Sequence, residues 1–132
     1  MNSAEFFRRV QALSALPTRK DAERVSAAVL SALSHLAPDS QTRRQFVTQL
    51  PGSLKNRILA EPPRSLLMDR EALIQHVGAT LDAHAPEAQR LLRAVYAVLR
   101  TAVSPGELED FEARIPKDVA TLLRTVARGG VS

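Results

Sequence analysis

The chain has 132 residues, 45% of them hydrophobic, and a formal net charge of +4, values that suit a folded globular domain and argue against disorder. It has no cysteine, which excludes disulfides, thiolate zinc sites and thiol catalysis in one step. No apolar run reaches the ~18 residues of a membrane-spanning helix, and charges break up the opening MNSAEFFRRVQALSAL, so the expectation is a cytoplasmic protein with no membrane partner.

In chain order, the first helix is expected over residues 3–15, with Phe6, Val10 and Leu13 on one stripe and Phe7 beside it. The second starts at Thr18, whose hydroxyl can cap while Asp21 suits the positive helix start. Its stripe is Val25, Ala28, Val29, Ala32, Leu33 and Leu36. A short third helix over 40–49 takes Asp39 as its cap, and Pro51 ends it and opens a fourth over 52–60. Glu61-Pro62-Pro63-Arg64-Ser65 then reads as a stiff linker.

A fifth helix, expected over 70–84 behind Asp69 as N-cap, carries Leu73, Ile74, Val77 and Leu81. A sixth begins near Pro86 with Leu91, Ala94, Val95, Val98, Leu99 and Ala102, widened by Leu92, Tyr96 and Val103. The seventh, over 105–114, opens on the capping box Ser104-Pro105-Gly106-Glu107, and the eighth covers 116–127. No window alternates with period two, so no sheet is expected.

These eight elements pair off. Glu5 to Val10 lies over Ala72 to Val77 at an offset of 67, and Ala22, Arg24, Ala28, Val29 and Leu33 lie over Ala88, Arg90, Ala94, Val95 and Leu99 at 66. Phe46, Leu50-Pro51, Leu54 and Ile58 lie over Phe111, Ile115-Pro116, Val119 and Leu123 at 65. Single-residue changes in two loops account for the drift. The expected fold is therefore all-α: two tandem four-helix repeats packed with pseudo-twofold symmetry into one compact bundle. Repeat one spans 1–60, the linker 61–68, repeat two 69–128 and a frayed tail 129–132, all within one domain over 1–132.

With those residues placed, the chain resembles the bacterial domain-of-unknown-function family 2267. The resemblance rests on Phe6-Phe7 with Val10, on Ala28-Val29-Leu30, and on Leu50-Pro51 with Leu54. The second copy departs from it, with Leu73-Ile74 for the aromatic pair and Ile115-Pro116 for Leu-Pro. It covers nearly the whole chain and implies a helical fold. Its matching positions are core and joint residues, so it implies no activity, cofactor or catalytic group.

The residues themselves point the same way. His35, His76 and His84 have no three- or four-residue spacing, and His76 and His84 lie about two turns, roughly 12 Å, apart on one expected helix. Solvent-facing or helix-end histidines are the simpler reading. Glu107, Glu109, Asp110 and Glu112 form a carboxylate cluster, but acids in the first turns of a helix are favoured by its dipole whatever their function. Mid-helix Gly78 suggests a close helix–helix contact. No nucleophile has a base at workable spacing, so the expectation is no enzyme, no metal and no cofactor.

Charge is the one asymmetry. Residues 1–66 hold ten Arg and Lys against five Asp and Glu, whereas residues 67–132 hold eight against nine. The leading expectation is a non-enzymatic interaction module that receives a protein partner in a groove or face between the copies, as a monomer or homodimer. The alternative is a nucleic-acid- or polyanion-binding protein acting through repeat one, with Arg8, Arg9, Arg43 and Arg44 as contacts. A small-molecule or metal enzyme is a third, weaker option, which a buried polar pocket would favour.

Overall fold

Four helices start on a side chain suited to the task. Asn2, Thr18, Asp39 and Asp69 each accept a hydrogen bond from the backbone N–H three residues on, at 2.8, 3.1, 2.7 and 2.8 Å, which satisfies a donor that the first helical turn leaves without an internal partner. The computed structural model describes residues 1–125. The expected tail 129–132 and the last expected residues of the eighth helix lie outside them.

Among the described residues there are eight helices and no strand: α1 (Ser3–Ser14), α2 (Arg19–His35), α3 (Ser40–Thr48), α4 (Gly52–Leu59), α5 (Arg70–Leu81), α6 (Ala85–Ala102), α7 (Pro105–Glu112) and α8 (Lys117–Thr125). α1 and α5 end alike. Ala15 and Asp82 adopt left-handed conformations (φ 54° and 55°), and the residues after them, Leu16 and Ala83, donate to the carbonyls of Gln11 and Gly78 at 3.1 and 2.8 Å. These bonds satisfy the last carbonyls of each helix and turn the chain sharply into the next. Gly78 is required by that turn, because a Cβ there would sit 2.7 Å from the Ala83 carbonyl oxygen and 3.5 Å from the Ala88 Cβ of α6.

α1 packs on α2 and α6, while α5 packs on α6 and α2, so the four long helices form a reciprocal central layer in which α2 also meets α6. One continuous core runs from Phe6 to Leu123 through both halves of the chain, with Phe6, Val29, Leu33, Val95 and Leu99 wholly buried. α3 crosses to α7, and there Phe46 stacks on Phe111 with ring centroids 4.2 Å apart. α3 and α7 thus join the two halves of the chain, while α4 packs on α1 and α2, and α8 on α5.

Three expectations are corrected. Leu13 is 58% exposed and lies off the buried stripe of α1. Ser104 makes no side-chain cap; its carbonyl accepts from the Glu107 N–H instead. α5 stops at Leu81, so His84 is not on it but precedes α6 as its N-cap residue.

Candidate functional site

The four arginines singled out by charge do not share one setting. Arg8 and Arg9 lie exposed on α1, each with a guanidinium nitrogen 3.5 Å from the same Glu5 carboxylate. Arg44 is exposed on α3. Arg43 is only 8% exposed, because it sits on the face of α3 that also buries Thr42, Phe46 and Val47. Its Nη2 donates to the Ile58 carbonyl near the end of α4 at 2.9 Å, whereas its Nε is buried without a hydrogen-bond partner among the described residues. α1 packs on α2, α4 and α6, and α3 on α2, α4 and α7. The row of four exposed arginines that the polyanion alternative requires is therefore not formed: Arg43 is drawn inward to close the end of α4.

Arg43 and Arg44 instead line a cleft of about 540 Å³ with Ser40, Gln41, Leu59, Glu61 and Pro63. A second hollow of about 190 Å³ shares Ser40, Arg43 and Pro63 with it and adds Asp39 and Arg64. The first turn of α3 contributes Ser40 and Gln41 to the cleft, and Asp39 of the adjoining hollow accepts from the Thr42 N–H, a bond that holds its carboxyl below the usual carboxylate range. The linker forms the opposite wall. It is tied down by Leu66 N–H to the His35 carbonyl at 2.7 Å and by the Ser65 hydroxyl to the Ala37 carbonyl at 2.9 Å. Leu59 stands 42% exposed at the cleft. The lining thus combines two arginines with apolar Leu59 and Pro63 and the Glu61 carboxylate.

Behind the cleft, His35 is buried at the last position of α2, which is the helix-end placement of the two expected for the histidines. Among the described residues neither ring nitrogen has a hydrogen-bond partner, and Nε2 lies 3.7 Å from the Glu61 carboxylate. Burial pushes its pKa down, against the opposing pull of Glu61. That same Glu61 oxygen, Oε1, accepts from the Ser31 hydroxyl at 2.7 Å.

A second polar node was missed by the sequence reading. Glu112 is the last residue of α7 and is only 5% exposed, not a surface acid of the first turn. It accepts from the buried Tyr96 hydroxyl, from Arg100 at 3.2 Å and from Arg124 at 3.1 Å. Burial, then the bond to Glu112, push the Tyr96 pKa upward. Three donors thus converge on one buried carboxylate, which makes the node a structural cluster of four side chains.

Among the described residues, no three His, Asp or Glu side chains come together in a group that could hold a metal ion, and no helix is long and apolar enough to cross a membrane. No curated protein matches the chain. A family model described as an uncharacterized conserved protein, DUF2267, matches residues 3–122. On that match over most of its length, the chain belongs to the DUF2267 family.

Proposed function

We propose that this protein is a non-catalytic interaction module, and that the cleft between α3, α4 and the linker receives a segment of a protein partner. The observation that carries this reading is the make-up of the cleft, which Arg43 and Arg44 line together with exposed Leu59 and Pro63. Such a mixed surface of apolar and arginine side chains is what protein-recognition patches favour. The groove departs from the expected position between the copies, because it lies within the first half of the chain.

We also propose that the two halves are copies of one four-helix unit. The matched left-handed caps at Ala15 and Asp82, the reciprocal packing of α1 on α6 and of α5 on α2, and the stacking of Phe46 on Phe111 support this.

The nucleic-acid reading needs several arginines free on one face to neutralise phosphates together. Arg43 is engaged with Ile58, and Arg8 and Arg9 share Glu5, which favours the module. Titrating a labelled random DNA duplex at low and physiological salt tests the choice. The module predicts no complex above background at physiological salt. A micromolar or tighter complex, weakening steeply with salt and weakened again by Arg8→Gln with Arg9→Gln, would overturn it.

A further inference from the structure

His35 ends α2 and is buried, whereas Thr101, 66 residues on in the last turn of α6, is exposed. What covers His35 is the chain that follows α4. The Leu66 N–H donates to the His35 carbonyl at 2.7 Å, the Ser65 hydroxyl donates to the Ala37 carbonyl at 2.9 Å, and Leu66 lies partly buried against the core. Among the described residues no other hydrogen bond holds the stretch from Pro62 to Leu67, in which Leu67 is 96% exposed. Its ends are fixed, by the Glu61 N–H on the Ile58 carbonyl at 3.1 Å and by buried Met68. A short stretch anchored at both ends and lightly held between them can open while the rest stays folded.

The cover leaves His35 in an unfavourable state. Both ring nitrogens are enclosed without a hydrogen-bond partner among the described residues, and water would satisfy both if the stretch lifted. A proton on the ring raises that cost, because an enclosed cation needs solvation more than a neutral ring does. The charged groups acting on it are Glu61 and Arg64 of the linker, Arg43 of α3 and His76 of α5, and Asp39 lines the neighbouring hollow with Arg43 and Arg64. Glu61 favours the cation, but its Oε1 stands 3.7 Å from Nε2 and already accepts from Ser31. Burial outweighs it and lowers the ring's pKa, and Arg43, Arg64 and His76 act in the same sense.

We propose that residues 62–67 form a pH-sensitive strap, which closes over the neutral His35 ring and lifts when that ring takes up a proton. Lifting carries Pro63 away from the cleft that it lines with Arg43 and Arg44. Whatever the cleft binds, the strap follows His35.

The test is amide hydrogen exchange of the full chain from about pH 7.5 to about pH 4.5, corrected for the intrinsic rates and read at Leu66 for the strap and at buried Val29 and Leu99 for the core. The Leu66 N–H should be less protected than the core amides and insensitive to low urea, since lifting the strap exposes little surface. Its opening constant should rise below about pH 6.5, by up to about tenfold per pH unit. The rise should level off where the His35 ring, followed by its carbon-bound protons, titrates in the native protein. His35→Leu, which has no nitrogen to protonate or solvate, should abolish the rise. Ser65→Ala, a change at an exposed position, should increase Leu66 opening already at neutral pH and leave the core amides unchanged. Leu66 protection and urea dependence equal to those of the core would overturn the proposal. So would an opening constant that is flat with pH, a plateau apart from the His35 titration, a rise kept in His35→Leu, or unchanged opening in Ser65→Ala.

Discussion

Phe46 of α3 and Phe111 of α7 stack with their ring centroids 4.2 Å apart and their planes 24° from parallel. They stand 65 residues apart in the sequence, one in each half of the chain, and each is buried. The contact therefore joins the ends of the halves as well as contributing apolar area. Truncating either ring to alanine should cost about 3–5 kcal/mol, the usual range for a buried phenylalanine. The double variant should fall short of the sum by about 0.5–1.5 kcal/mol, the coupling of an aromatic pair. Urea unfolding of the four-member cycle measures this, and strict additivity would show that the rings are neighbours without interaction.

Gly78→Ala should destabilise the protein by about 1–3 kcal/mol, although alanine is the better helix former. Its Cβ would lie 2.7 Å from the Ala83 carbonyl oxygen, a backbone atom fixed by its own turn, so the α5–α6 joint must open. Gly106→Ala is the control. No atom lies within 4 Å of the Cβ it adds, and its thermal midpoint should stay level or rise. A Gly78→Ala midpoint equal to that of the control would contradict the close approach.

Stability should fall in mild acid through His35. Its folded-state pKa lies below the value of about 6.5 expected in the unfolded chain, so the fold favours the neutral ring. That preference is fully present above about pH 6.5 and is lost as pH falls through the folded-state value. Glu61 faces the ring and opposes the shift, while Arg43, Arg64 and His76 reinforce it. Unfolding free energies of the parent and of His35→Gln, measured from about pH 7 to about pH 5, should converge as pH falls. Parallel curves would show that His35 does not carry the dependence.

Tyr96→Phe removes the buried hydroxyl from Glu112 and should cost about 1.5–3 kcal/mol, since the acceptor is charged. Positions 30 and 47, which match 96 and 112, hold Leu30 and Val47, both buried. The paired change Tyr96→Leu with Glu112→Val should accordingly be tolerated better than Glu112→Val alone, which strands the hydroxyl. Chemical denaturation of the three variants decides it, and a paired variant less stable than the single one would contradict the comparison.

Much of the fold was legible because its signals are local. Thr18, Asp39 and Asp69 cap through bonds that span three residues, and Leu33 and Leu99 sit mid-stripe on long helices. Leu13 was misplaced because its spacing from Val10 fits a helical stripe, although the last turn of α1 rotates it away from α2 and α6. The site was harder to read, because charge counting treats every arginine as solvent-facing. Arg43 falls on the buried face of α3 and Glu112 on that of α7. The signal that would have found them is register: Arg43 stands where the other half has Leu108, and Glu112 where it has Val47. A charged residue opposite an apolar one marks a place where burial needs a partner, and that partner can be distant in sequence, as Arg124 is from Glu112. His35 lies at a helix end, as read, but its burial was not legible, because it depends on the linker folding back through Leu66 and Ser65.

The central claim is that the cleft beside α3 receives a protein segment, and a photo-crosslinking comparison tests it most directly. Benzoylphenylalanine is placed at Leu59, which is 42% exposed in the cleft, and separately at Leu13, which is 58% exposed on α1. Both proteins are irradiated in cells of the native host and the adducts are resolved by mass. Position 59 should yield one discrete protein adduct, with the cross-linked partner peptide rich in acidic and apolar residues, and position 13 none. Adducts of equal yield from both positions, or none from position 59 while position 13 reacts, would contradict the account.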